Sequence, residues 1–236
     1  MRKLYEKNEI LFAVLWIVLY CVVLGTIKGN FGIGSAYMLP ALLAFAAAAT
    51  IFVRSNHLEE KYGLTGWPEN MRKYLFFIPL WILAAGNIWG GFSPAYRGAA
   101  LAAAVSSMIL VGYVEEMIFR GFLFRAMLAD GKPARAIIIS ALTFGIGHII
   151  NLFTGQASFE TLLQIIFAVS WGFIFTMVCY KSGSMIPCII AHAMIDVLSL
   201  FAVDNKLLDH VYIGATAAAA IVCCICLGRP DPPEAE

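Results

Sequence analysis

Charge is what this chain has least of: 13% of its 236 residues are Asp, Glu, Lys or Arg, against 61% hydrophobic. A soluble domain carries about 25% charged and roughly 45–50% apolar residues, so an ordinary water-soluble fold is excluded. Basic surplus is missing too. A formal net charge of +1 leaves nothing to neutralise a phosphate backbone, which argues against nucleic acid as a partner. The six cysteines (Cys21, Cys179, Cys188, Cys223, Cys224, Cys226) lie in apolar stretches without paired CxxC or Cys/His ligand spacing. They read as small packing hydrophobes, with lipidation of the Cys223–Cys226 group as the alternative. No internal repeat is evident, nor the paired short spans of inverted-repeat transporters. The first apolar run lacks a small-residue cleavage site and reads as a retained helix rather than a signal peptide.

What is present is long apolar sequence. A hydrocarbon core about 30 Å thick needs about 20 apolar residues per helix, and eight such spans can be marked: roughly 10–27, 36–53, 74–92, 99–124, 136–152, 159–180, 184–203 and 210–227. The expected fold is all-α, a polytopic membrane helical bundle of about eight transmembrane helices. It forms a single transmembrane domain over 1–236, with a core at about 99–203 and a disordered acidic, Pro-rich tail at 229–236. Ala-rich runs at 46–49, 99–104 and 217–220 should let helices approach closely. If the N-terminus is cytoplasmic, 12 of the 16 basic residues fall on that side, Lys28, Arg97 and Lys206 fall opposite, and Arg120 stays inside a span. The bias predicts a multi-pass cell-membrane protein with both termini cytoplasmic.

Charged groups at bilayer depth cost at least about 2.5–3.5 kcal/mol each and usually serve function. The fourth span nonetheless reads Val114-Glu115-Glu116-Met117-Ile118-Phe119-Arg120-Gly121. Glu116 and Arg120, at i and i+4, share a helix face and can pair. Glu115 lies about 100° away and is left available for chemistry. The fifth span supplies Phe144-Gly145-Ile146-Gly147-His148, and the seventh supplies His192-Ala193-Met194-Ile195-Asp196. His192 and Asp196 are again i and i+4, so the aspartate can orient the imidazole or share a water or metal with it. At helical rise, Glu115, His148 and His192 lie roughly 15, 20 and 16 Å from the nearest cytoplasmic-side charge. Three helices thus bring polar side chains to a similar depth. Asn151, at i+3 from His148, can join that polar face. His57 and His210 read as solvated.

Glu115-Glu116-x-x-x-Arg120, Phe144-x-x-x-His148 and His192-x-x-x-Asp196 resemble, in order, the three signature motifs of the CAAX protease and bacteriocin-processing (Abi, or CPBP) family. Its members are glutamate-dependent intramembrane proteases that include the Ras-converting CAAX endopeptidase. The resemblance covers roughly residues 110–200. It implies a peptide or lipidated protein as substrate, within membrane lipids, and catalytic roles for Glu115, His148, His192 and Asp196. Aspartate stands at 196 where the CAAX endopeptidases have asparagine.

Peptide hydrolysis needs an activated water, support for the oxyanion and a proton for the leaving amine. Glu115 is the best general base. His148 and His192 can hold the water, polarise the carbonyl or protonate the leaving group. Glu116, the second carboxylate of the expected catalytic set, pairs with Arg120. Arg120, Phe144 and Asn151 are expected as structural support. No cofactor is required on this reading. A catalytic zinc held by Glu115, His148 and His192 is the other way to activate the water, and sequence leaves both open. Two functions of other classes stay in competition: a non-catalytic scaffold or bacteriocin self-immunity protein, and a proton-coupled transporter using the same buried carboxylates.

Overall fold

In the computed structural model, residues 1–32, 35–68, 77–153 and 155–227 are described. A short amphipathic helix α1 (Arg2–Lys7) leads into α2 (Glu9–Phe31), started by Asn8, whose side chain accepts from the Leu11 N–H. Such a cap satisfies a backbone donor that water would otherwise have to reach. Next come α3 (Met38–Ser55) and α4 (Phe77–Ala84). The long α5 (Gly98–Leu128) is α-helical to Glu116 and π-helical over Met117–Phe124. Then follow α6 (Pro133–Gly147), continued by a single turn at Ile150–Phe153, α7 (Ser158–Ser182), α8 (Ile186–Ser199) and α9 (Lys206–Leu227). Prolines open α6 and α8 in their first turn, where a missing N–H costs nothing. Gly183 closes α7 in the left-handed region at φ 71°.

Among the described residues, six of these helices are long and apolar enough to cross a membrane. The chain is an integral membrane helical bundle. The third expected span ends early and the seventh is shorter than anticipated. Within the described residues α4 runs Phe77–Ala84 and gives way to a 3-10 turn at Gly86–Ile88; residues 74–76 lie outside them. α8 has 14 residues, roughly 21 Å against a core of about 30 Å. Packing explains the break after α4. The ring of Tyr212 on α9 sits where a Cβ on Gly86 would stand, 2.2 Å away, and Asn87 donates 2.8 Å to the carbonyl of Ile195 in α8.

Glycines, rather than the Ala99–Ala104 run, make the tightest approaches. That run is largely exposed, whereas a Cβ on Gly112 of α5 would stand 2.6 Å from the backbone nitrogen of Ala193 in α8. Gly145 of α6 and Gly172 of α7 are similarly pressed, against the backbones of Val169 and Ala141. Small residues at such crossings let backbones touch. The rest of the core is aromatic. Phe12 stacks on Phe52 at 4.8 Å, and both pack on Phe122 of the π segment.

Hydrogen bonds gather the α3–α4 and α7–α8 connections and the last turn of α5 at one end of the bundle: Met185 N to Gly63 O at 2.8 Å, Ser184 Oγ to Gly66 O at 2.7 Å, and Arg125 Nη2 to Gly183 O at 2.9 Å. Lys61 joins them, donating to Glu9 and Tyr5. Burial opposes its ammonium form, but the bonds to Glu9 and Tyr5 outweigh that and raise its pKa. The opposite end is closed by Ser93 N and Ala95 N donating to the carbonyls of Phe201 and Leu200 at 2.8 Å. Arg72, Lys73, Arg229 and the acidic tail, all part of the sequence expectation, lie outside the described residues.

The α5–α8 contact generates a prediction. Gly112→Leu should cost about 1–3 kcal/mol through overpacking, read as a lowered unfolding temperature in detergent. An unchanged value would contradict the close approach.

Candidate active site

The site begins where α5 changes register. A π-helical segment widens the turn and often accompanies a functional site; here it starts directly after Glu115 and Glu116. Arg120, inside it, turns back so that Nη1 donates 2.7 Å to Glu116 Oε1, with both side chains fully buried. Phe144 of α6 and Phe175 of α7 flank the guanidinium, which stands 4.3 and 5.3 Å from their ring centroids. Aromatic faces stabilise a desolvated cation at such distances.

Glu116 does more than balance Arg120. Its Oε1 also accepts from His192 Nδ1 at 2.8 Å, so one oxygen ties α5 to α8. With Nδ1–H committed, the other nitrogen of His192 is aimed elsewhere: Nε2 lies 3.7 Å from Glu115 Oε2 and 3.6 Å from Asp196 Oδ2. Both separations exceed a direct hydrogen bond and suit a bridging water. Asp196 Oδ2 is buried with no hydrogen-bond partner among the described residues. The imidazole is gripped on its faces as well, stacked on Phe175 and edge-on to Phe144, each at 5.6 Å. Of the roles expected for Asp196, orienting the imidazole or sharing a water or metal with it, the 3.6 Å separation suits a shared water better than a direct orienting bond. The direct bond to the imidazole comes from Glu116, on another helix, because i and i+4 spacing makes two groups neighbours without making them partners.

Glu115 points the other way. Its Oε1 accepts 2.8 Å from the hydroxyl of Tyr20 on α2, leaving Oε2 toward His192. His148 stands just past the C-terminal end of α6, where its Nδ1–H donates 3.2 Å to the carbonyl of Phe144. That bond fixes the tautomer and leaves Nε2 available. Asn151, one turn on, is buried; it accepts from Lys28 Nζ at 2.8 Å and donates to Gln164 Oε1 at 2.7 Å.

A cavity of about 270 Å³ joins these groups, lined by Glu115, His148, His192 and Asp196, with Phe144 at its floor and Asn151 beyond. All eight residues singled out from sequence thus cluster, six on the cavity wall and Glu116 with Arg120 buried behind it. His57 and His210 are exposed and elsewhere. Three further hydrogen-bonding side chains on the wall, Tyr20, Lys28 and Gln164, were not anticipated. The signal for two of them was spacing: Tyr20, Leu24 and Lys28 recur at i, i+4 and i+8, one stripe of an otherwise apolar helix. One carboxylate and two imidazoles are donor types that suit zinc, but among the described residues no three His, Cys, Asp or Glu groups stand close enough to share an ion.

Residues 97–198 match the family model described as type II CAAX prenyl endopeptidase Rce1-like. Over that segment, somewhat under half of its length, the chain is similar to the CAAX-protease family. No curated protein and no solved structure matches the chain. The matched segment runs from the start of α5 to the end of α8 and contains every motif residue of the cavity wall. The family it is similar to is one of proteases, which act on protein or peptide substrates. Tyr20 and Lys28, from α2, lie outside the segment.

A buried ion pair that loses one partner leaves an uncompensated charge, at a cost of about 3–5 kcal/mol. Arg120→Met should therefore lower the unfolding temperature or the folded yield sharply. The double variant Glu116→Leu with Arg120→Met should recover much of that stability. Equal damage in the single and double variants, measured by thermal unfolding in detergent, would show that charge compensation is not what the pair provides.

Proposed function

We propose that the chain is an intramembrane endopeptidase in which Glu115 activates water for attack on a peptide carbonyl. The observation that supports this best is the aim of His192: Glu116 holds Nδ1, so Nε2 and Glu115 Oε2 face each other at 3.7 Å across the cavity. A water between them would donate one proton to Glu115 and present its lone pair to the substrate. Attack forms the new C–O bond and a tetrahedral oxyanion. His148 would support that oxyanion as the imidazolium, its Nε2–H donating a hydrogen bond while the proton stays on the ring. Collapse breaks the C–N bond, and the proton taken by Glu115 passes to the leaving amine, so water is added across the bond. Asp196 completes the water's polar surroundings opposite Glu115. The chemistry requires only these side chains, with zinc as a separate possibility that chelation tests.

We also propose that both termini face the cytoplasm. Support comes from the bundle itself: among the described residues, the end formed by the N-terminus and the 56–68, 125–135 and 181–185 segments collects most Lys and Arg, while Lys28, Arg97 and Lys206 sit at the other. The cavity runs from Glu115 toward that other end, where α2 finishes three residues after Lys28. Terminal tags on the protein in sealed cells should resist external protease. Cleavage of both in intact cells would reverse the orientation.

Purified protein should cut a membrane-tethered reporter peptide. Glu115→Gln should reduce the rate by about 10²–10⁴, the range of a lost general base, and His192→Ala should do so comparably. Neither change should unfold the protein. A chelator should leave the wild-type rate unchanged. Full activity in Glu115→Gln would remove the carboxylate from the reaction, and loss of activity to the chelator would assign the water to a metal. Substrate flux into vesicles that depends on Glu115, without cleavage, would favour a transporter instead.

A further inference from the structure

A second, larger space in the bundle shares no residue with the cavity of Glu115. It is a groove enclosing about 920 Å³ between α6, α7 and α9. Ile137 of α6, Phe173 and Met177 of α7, and Ala217 and Ala220 of α9 make its wall apolar. The short alanine side chains leave room that larger residues would fill. Val169 is the deepest α7 residue of the lining, and it lies at the crossing where Gly145 of α6 is pressed against α7. At its other end the groove reaches the edge of the bundle, where α6 begins and α7 finishes. Pro133 and the half-buried Lys181 stand on that rim. Lys132 and Arg135 flank the start of α6, against one acid in the preceding connection, Asp130.

We propose that this groove binds one anionic phospholipid of the adjoining leaflet, with an acyl chain between α6, α7 and α9 and the phosphate at Lys181 and the start of α6. Depth and charge decide the ligand. From Lys181 to Val169 the α7 helix rises about 18 Å, close to one leaflet's half of a hydrocarbon core about 30 Å thick. A helix of a second copy would need an open face across the whole thickness, and the crossing at Gly145 and Val169 stops the groove near the middle. The rim is basic, and basic pockets between transmembrane helices hold anionic headgroups. The first N–H groups of α6 point the same way, since a helix N-terminus offers unbonded donors to an anion. Cys224 also lines the groove. An acyl chain attached to that sulfur would fill the apolar wall but leave the basic rim without a ligand. The proposal does not depend on the protease reading, because the groove and the catalytic cavity are separate.

The test is mass spectrometry of the intact full chain released from mixed micelles holding equal amounts of phosphatidylglycerol and phosphatidylcholine. Wild type should retain one phosphatidylglycerol in preference to phosphatidylcholine by about fivefold, the contribution of roughly one lysine beside an anionic headgroup. Lys181→Met should bring the two lipids close to parity, and Lys181→Arg should keep the preference. Ala217→Phe, which fills the groove, should reduce retention of both. Equal retention by wild type, or a preference undiminished in Lys181→Met, would overturn the proposal. So would displacement of the lipid by glycerol phosphate alone, which would assign the rim to a soluble anion. A fatty-acyl mass increase on Cys224 that hydroxylamine removes would give the groove to a covalent chain, and a dimer in place of bound lipid would give it to a second copy; either result overturns the phospholipid site.

Discussion

A carboxylate placed inside a lipid-embedded bundle must be compensated by the protein, because no water surrounds it to do so. Glu116 is the most buried acid among the motif residues, and Arg120 is its compensation, 2.7 Å away on the same helix. The remaining acceptor capacity of the same oxygen takes the Nδ1–H of His192. The aim of Nε2, its separation from Glu115 and the approach of α8 to α5 all follow. So does the need for Gly112, since a side chain there would push Ala193 and the neighbouring His192 away from the acid. Phe144 and Phe175 close the arrangement by packing on the guanidinium and the imidazole together.

The two carboxylates of one dipeptide thus have separate environments. Glu116 is fully buried in an ion pair and turned away from the cavity, whereas Glu115 lines it and accepts a hydrogen bond from the Tyr20 hydroxyl. Adjacent residues on a helix differ by about 100°, which suffices to put one acid behind the wall and the other on it. Tyr20 comes from outside the segment matched to the family, so the first helices are part of the site as well as a wrapping around it.

Much of this was legible in the sequence for one reason: charge in a long apolar run is expensive, so Glu115, Glu116, Arg120, His192 and Asp196 stand out as soon as the spans are drawn. The spans themselves follow from hydropathy alone. Other features left no such mark. Tyr20 and Lys28 look like ordinary tenants of a membrane helix, an amphipathic ring and a basic residue near a helix end. Hydropathy does not register a backbone break, so α4 was read as a full span although Gly86 and Asn87 end it against α9 and α8. Helical spacing identified Asp196 as a neighbour of His192 but said nothing about an acid arriving from another helix, which is why the orienting role of Glu116 had to come from the three-dimensional arrangement.

Histidine nitrogen resonances give the most direct view of that hub. In protein labelled with ¹⁵N-histidine and held in lipid, His192 should show a protonated, strongly hydrogen-bonded Nδ1. Glu116→Gln should remove that signature, and Glu115→Gln should alter the environment of Nε2. A His192 spectrum indifferent to both substitutions would mean that the imidazole does not lie between these two acids, and the account of the site would fail.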